Sequence, residues 1–147
     1  MEESLSLIGM LRESFGCEKV DIRTYSPLTF AYIGDCVFDM IVRTLVVEKG
    51  QRAANALHKH TTKIVNAATQ AAILTSIYDD LLTEEEQDVY RRGRNAKSYT
   101  HAKNQSMGDY RKATGFEALC GYLYLTDRMP RIIELVKTGF ERTGIEI

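Results

Sequence analysis

Two carboxylates stand out for the company they keep. Between Arg23 and Arg43 the only charged residues are Asp35 and Asp39, embedded in YSPLTFAYIGDCVFDMIVR, and Glu117 is the only charge between Lys112 and Asp127, set in ATGFEALCGYLYLT. An isolated carboxylate taken out of water costs on the order of several kcal/mol, comparable with the net stability of a small domain, unless a cation or hydrogen bonds compensate. A hard divalent cation such as Mg²⁺, which takes oxygen ligands and keeps part of its water shell, would compensate if the two acids converge. A hydrogen-bonded buried network would do so as well, and the pattern alone leaves both readings open. Asp39 is different, because with Arg43 it makes an i, i+4 acid–base pair of the kind that forms ordinary helix salt bridges. Asp35 and Glu117 have no such local partner.

The elements that must position these acids are helical. No stretch alternates apolar and polar residues for long, proline is scarce, and Ala, Leu, Glu, Lys and Arg fill periodic segments, so the chain reads as all-α. Ser26-Pro27 supplies an N-cap and a first-turn proline for a helix from Leu28 to Val47, closed by Gly50. Asp35 sits in its middle. A short helix over the first fifteen residues precedes it, joined by a polar link to Thr24. A helix over 52–58 follows, and then one from Thr61 or Thr62 to Asp80 with Ile64, Ala68, Ala71, Leu74 and Tyr78 on one face. Thr83-Glu84-Glu85-Glu86 is a capping box opening a helix that ends near Gly93. Residues 96–108 lack apolar periodicity and read as the longest loop. Glu117 lies in a helix from about Asp109 to Thr126, and Pro130 begins a last amphipathic helix. Gly34 and Gly115, inside helices where glycine costs roughly 1 kcal/mol against alanine, predict a close crossing near the acids.

The whole chain bounds what these acids can serve. Its 147 residues fit a single domain spanning 1–147, with 1–24 the least defined part, and 44% hydrophobic with 27% charged residues is ordinary for a globular protein. Cys17, Cys36 and Cys120 are odd in number and widely spaced, which excludes a disulfide framework and a zinc site; they read as small core residues in a reducing compartment. The acidic N-terminus has too short an apolar run for a signal peptide and nothing reaches the length of a membrane span, so a cytoplasmic protein with no membrane partner is expected.

Net charge is only −1, but its distribution is uneven. Residues 91–108, RRGRNAKSYTHAKNQSMG, hold Arg91, Arg92, Arg94, Lys97 and Lys103 with no acid. HKHTTK, residues 58–63, is a second basic patch, and the two hold all three histidines. Such patches are more often solvated faces or helix-dipole partners than phosphate-binding surfaces. Asn95, Ser98, Thr100 and Asn104 add neutral donors suited to phosphates and 2′-hydroxyls, and the absence of an aromatic stacking motif favours duplex over single-stranded RNA. No His-x-x-x-His or Cys-x-x-Cys setting supports zinc.

Taken together, AYIGDCVFDMIVR (31–43), RGRNAKS (92–98) and TGFEALCGYLYL (114–125) resemble the Mini-III ribonucleases, the short branch of the ribonuclease III family that has the catalytic domain without a separate double-stranded-RNA-binding domain. The resemblance covers nearly the whole chain after Tyr25. It implies an all-helical catalytic domain acting as a homodimer, and hydrolysis of double-stranded RNA that depends on Mg²⁺, with Mn²⁺ as a substitute and no organic cofactor. It further implies Asp35 and Glu117 as the catalytic, metal-holding pair, and a ribosomal RNA precursor, the large-subunit stem, as substrate. Arg94, Asn95, Lys97 and Ser98, with Lys59 and Lys63 in support, are the expected RNA contacts. Larger ribonuclease III enzymes carry two more acids, where this chain has Ala31 and Thr114. Asp39 is a candidate substitute ligand. A domain that binds structured RNA without cutting it is the competing expectation.

Overall fold

The computed structural model describes residues 6–97 and 106–147, and among these every regular element is helical. Helix α1 spans Leu7–Phe15, α2 Pro27–Glu48, α3 Ala54–Thr62, α4 Ala67–Ile77, α5 Glu84–Asn95, α6 Met107–Leu125 and α7 Met129–Thr143. A single 3-10 turn, Ile22–Thr24, leads into α2. The expected starts of α2 and α5 hold. The Ser26 side chain accepts from Thr29 N at 3.2 Å, and Thr83 exchanges reciprocal hydrogen bonds with Glu86.

Helix α6 is the centre of the fold. Phe116, Ala118, Leu119 and Leu123 are fully buried, and α2, α4 and α5 pack around them. Phe38 of α2 meets Phe116 edge-on at 5.3 Å between ring centroids, the geometry aromatic quadrupoles favour. Ile73 and Ile77 of α4 and Ile132 and Leu135 of α7 complete the core.

Several expectations are corrected. The helix expected from Thr61 or Thr62 to Asp80 is divided: α3 ends at Thr62 and α4 starts at Ala67, because Asn66 caps it by accepting from Thr69 N at 2.9 Å. A strong internal cap outcompetes continuation of the helix. The buried face of α4 accordingly runs through Ala67, Gln70, Ala71, Ile73, Leu74 and Ile77, while Ala68 is exposed. Gly93 does not end α5, which continues to Asn95; it is buried where α5 meets Gly115 and Ala118 of α6. Helix α6 begins two residues before Asp109, with Ser106 as its N-cap. Of the cysteines only Cys120 is a core residue, whereas Cys17 and Cys36 are exposed. Nor is α2 buried all round. Leu28, Tyr32, Met40 and Val47 form an exposed apolar stripe beside Asp35, with Tyr32 81% exposed.

Candidate active site

Two glycines set the distance between the helices that carry the acids. A Cβ on Gly34 would fall on the Glu117 carbonyl oxygen, and a Cβ on Gly121 would fall on the Phe30 carbonyl oxygen, so α2 and α6 cross in near backbone contact. The crossing expected at Gly34 is therefore present. Its partner is Gly121; Gly115 instead accommodates Tyr90 of α5.

The crossing brings Asp35 close enough to Glu117 to act on its carboxyl. Asp35 is exposed and Glu117 half-buried, so only one of the two acids expected in the interior leaves water. Burial, followed by the hydrogen bond and the charge of Asp35, pushes the Glu117 carboxyl up to about 8, against the opposing pull of a Gln70 N–H. Gln70 Nε2 donates to Glu117 Oε2 at 3.3 Å. A like charge beside a carboxylate disfavours its ionisation, which adds to the effect of burial on Glu117. Among the described residues no third His, Cys, Asp or Glu joins them to form a larger ligand cluster. Asp39 pairs with Arg43 at 3.0 Å, as its i, i+4 spacing allowed. Ala31 is buried against Phe30 and Ala118, and the Thr114 hydroxyl donates to Tyr110 O within its own helix. Cys120, one turn beyond Glu117, has its thiol pushed far up by burial and by Glu117, which excludes it as a thiolate nucleophile.

Arg94, Asn95 and Lys97 line a cleft of about 440 Å³ between the end of α5 and the start of α6, together with Met107, Tyr110, Arg111 and Thr114. Arg94 stacks over Tyr90 at 5.6 Å and its Nε donates to Asn95 Oδ1 at 3.2 Å. Thr114 connects the cleft to the acids, lying one turn before Glu117 on α6. Lys59 and Lys63 are exposed at the end of α3, away from this cleft's lining, and Ser98 lies outside the described residues. The sequence reading missed Gln70 and Arg111. Arg111 carried a usable signal: a cation near a helix N-terminus opposes the helix dipole and needs another reason to be there.

The domain is all-helical among its described residues, and residues 28–128 match the Ribonuclease III domain. The chain belongs to that family and is an endoribonuclease. Within the family its likeness is to the small members. It is 46% identical over 133 residues to the Mini-ribonuclease 3 of a Thermoanaerobacter species, covering 88% of this chain and 93% of that protein. The Mini-ribonuclease 3 of Enterococcus faecalis is 42% identical over 125 residues, covering 84% of this chain and 95% of that one. A crystal structure of a Fusobacterium nucleatum protein superposes with a TM-score of 0.75 at 28% identity, over 84% of this chain and 94% of that one.

Proposed function

We propose that the chain cleaves double-stranded RNA as a homodimer, with Asp35 and Glu117 holding Mg²⁺ at the scissile phosphodiester. The observation that carries this reading is the acid pair itself: the close α2–α6 crossing brings an exposed Asp35 and a half-buried Glu117 together, an oxygen donor set suited to a hard cation. Two carboxylates with room for water suit Mg²⁺, which is bound through few protein oxygens. When bound, the cation supplies Lewis acidity and neutralises charge developing on the phosphate and 3′-oxygen; Mn²⁺ has the same preference for oxygen.

The protein's part is to place the duplex. Arg94, Lys97 and Arg111 offer cations to backbone phosphates along the cleft that leads to Glu117, with Asn95 as a neutral donor. Ser98 continues the same segment, and Lys59 and Lys63 extend positive charge along α3. The exposed stripe of Leu28, Tyr32, Met40 and Val47 supports the dimer: a second copy of α2 related by a dyad would cover it and set two acid pairs side by side, one for each strand. For the natural substrate we propose a ribosomal RNA precursor, the large-subunit stem, on the strength of the family likeness.

The test is cleavage of a duplex RNA by the purified protein with and without Mg²⁺, alongside Asp35→Asn. Cleavage that requires the cation, abolished in the variant while RNA binding persists, is the expected result. Cleavage that survives chelation, or that persists in Asp35→Asn, overturns the proposal.

A further inference from the structure

Among the described residues four polar or charged side chains are buried: Thr61, Gln70, Glu86 and Thr114. Three of them serve their own surroundings. The hydroxyls of Thr61 and Thr114 donate to the carbonyls of Leu57 and Tyr110 one turn back. Glu86 closes the α5 capping box and pairs with Arg131. Gln70 differs. Only 4% exposed, it projects from α4 and donates Nε2 to Glu117 Oε2, 47 residues away on α6.

The fold alone does not call for an amide at this position. Gln70 lies on the α4 face that carries Ala67, Ala71 and Leu74 into the core, where a methionine of the same length would pack without the roughly 1–3 kcal/mol that an unpaired buried amide costs. What the amide supplies is a directed donor to the acid. Glu117 thus stands between two partners on different helices: Asp35 from α2 on one side and Gln70 from α4 on the other. With one oxygen fixed by Gln70, the carboxylate loses rotational freedom it would otherwise have to surrender on binding a cation. A neutral donor does this without adding a third negative charge to the pair.

We infer that Gln70 is a positioning residue of the active site: its amide N–H fixes Glu117 Oε2 and so keeps the Glu117 carboxylate turned toward Asp35 and the cation the two acids share. The inference rests on the metal-dependent reading above. Partners that orient a ligand from behind are typically worth about 10- to 100-fold in metal affinity or activity.

The experiment compares wild type, Gln70→Met and Gln70→Ala by Mn²⁺ binding to the RNA-free protein (electron paramagnetic resonance), steady-state cleavage of a duplex RNA and thermal melting. Gln70→Met keeps length and volume while removing the donor. The expected result is Mn²⁺ affinity and kcat each lowered by about tenfold or more, with KM for RNA and the melting temperature close to wild type. Unchanged Mn²⁺ affinity and kcat overturn the inference, as does a kcat loss that accompanies a matching loss of melting temperature, which marks a packing role only. If Gln70→Met does not fold, Gln70→Ala answers the same question by the same criteria. Asp35→Asn, run in parallel, separates the two levels: wild-type Mn²⁺ affinity there sinks the metal-site reading itself, whereas lost affinity there with unchanged affinity in Gln70→Met sinks only the role of Gln70.

Discussion

Glu86 and Glu117 are the same residue type, each drawn from water in a helix of the same small domain, and their surroundings drive them in opposite directions. Glu86 is 2% exposed, yet Arg131 holds both its oxygens, at 2.8 Å and 2.9 Å, and the Thr83 N–H adds a third bond at 2.8 Å. Burial opposes its ionisation, but these partners outweigh burial and the carboxyl stays below its ordinary value. Glu117 has no guanidinium to offset its burial, and burial first, then the hydrogen bond and charge of Asp35, raise its value to about 8. The first acid is a finished structural joint between α5 and α7. The second, in the proposed function, is completed by a cation from outside the chain, and a charge balance left open within the fold is what marks it as a candidate functional acid.

The sharpest way to break the comparison is to neutralise the open site. Glu117→Gln should lower kcat on duplex RNA by about 10³-fold, the equivalent of the several kcal/mol a correctly held cation contributes, without lowering the melting temperature of the metal-free protein. Steady-state cleavage assays and thermal melts check the two halves. The mirror experiment is Arg131→Met, which strands Glu86 in the interior. It should cost about 3 kcal/mol in urea denaturation while leaving kcat within a few-fold of wild type.

The pH response should also split. For Glu86 the folded-state value lies below the ordinary 4.5, so its pair stabilises the protein above that value and the contribution is lost as pH falls through the folded-state value. For Glu117 the folded-state value lies above 4.5, so the metal-free protein binds an extra proton and loses that increment of stability as pH rises from about 4.5 to about 8. Denaturation of the metal-free protein across pH 3–9, with side-chain carboxyl titration by NMR, reads both; saturating Mg²⁺ should remove the second effect and leave the first. The smallest effect belongs to Asp39. Its half-exposed pair with Arg43 is an ordinary surface bridge, and Asp39→Asn should change stability by less than about 1 kcal/mol and cleavage little.

The parts of this molecule that the sequence announced are those decided locally. Ser26-Pro27 and the Thr83 box mark helix starts within four residues, and Asp35 and Glu117 stood out because each lies in an apolar run with no cation at helical spacing to pair with it. The parts it concealed depend on contacts between distant segments. Gln70 is one of several polar residues in a helix whose expected buried face was right at Ala71 and Leu74 but took in Ala68 and left out Gln70, and its partner lies 47 residues on. Gly93 reads as a helix stop until Gly115 and Ala118 are seen against it, and Gly121 gains its meaning only from the Phe30 carbonyl. The exposed stripe of α2 was hidden by its own hydrophobicity, since apolar residues on every face of a helix do not say which face meets the core and which stays exposed.

Asp35 and Glu117 are proposed to hold one cation between them. Crystals grown with Mn²⁺ and measured at a wavelength where manganese scatters anomalously test it most directly. The account predicts an anomalous peak within bonding distance of oxygens from both carboxylates, with waters completing the coordination and Gln70 still on Glu117. Manganese bound elsewhere, or no peak between the two acids at a concentration that supports cleavage, would contradict it.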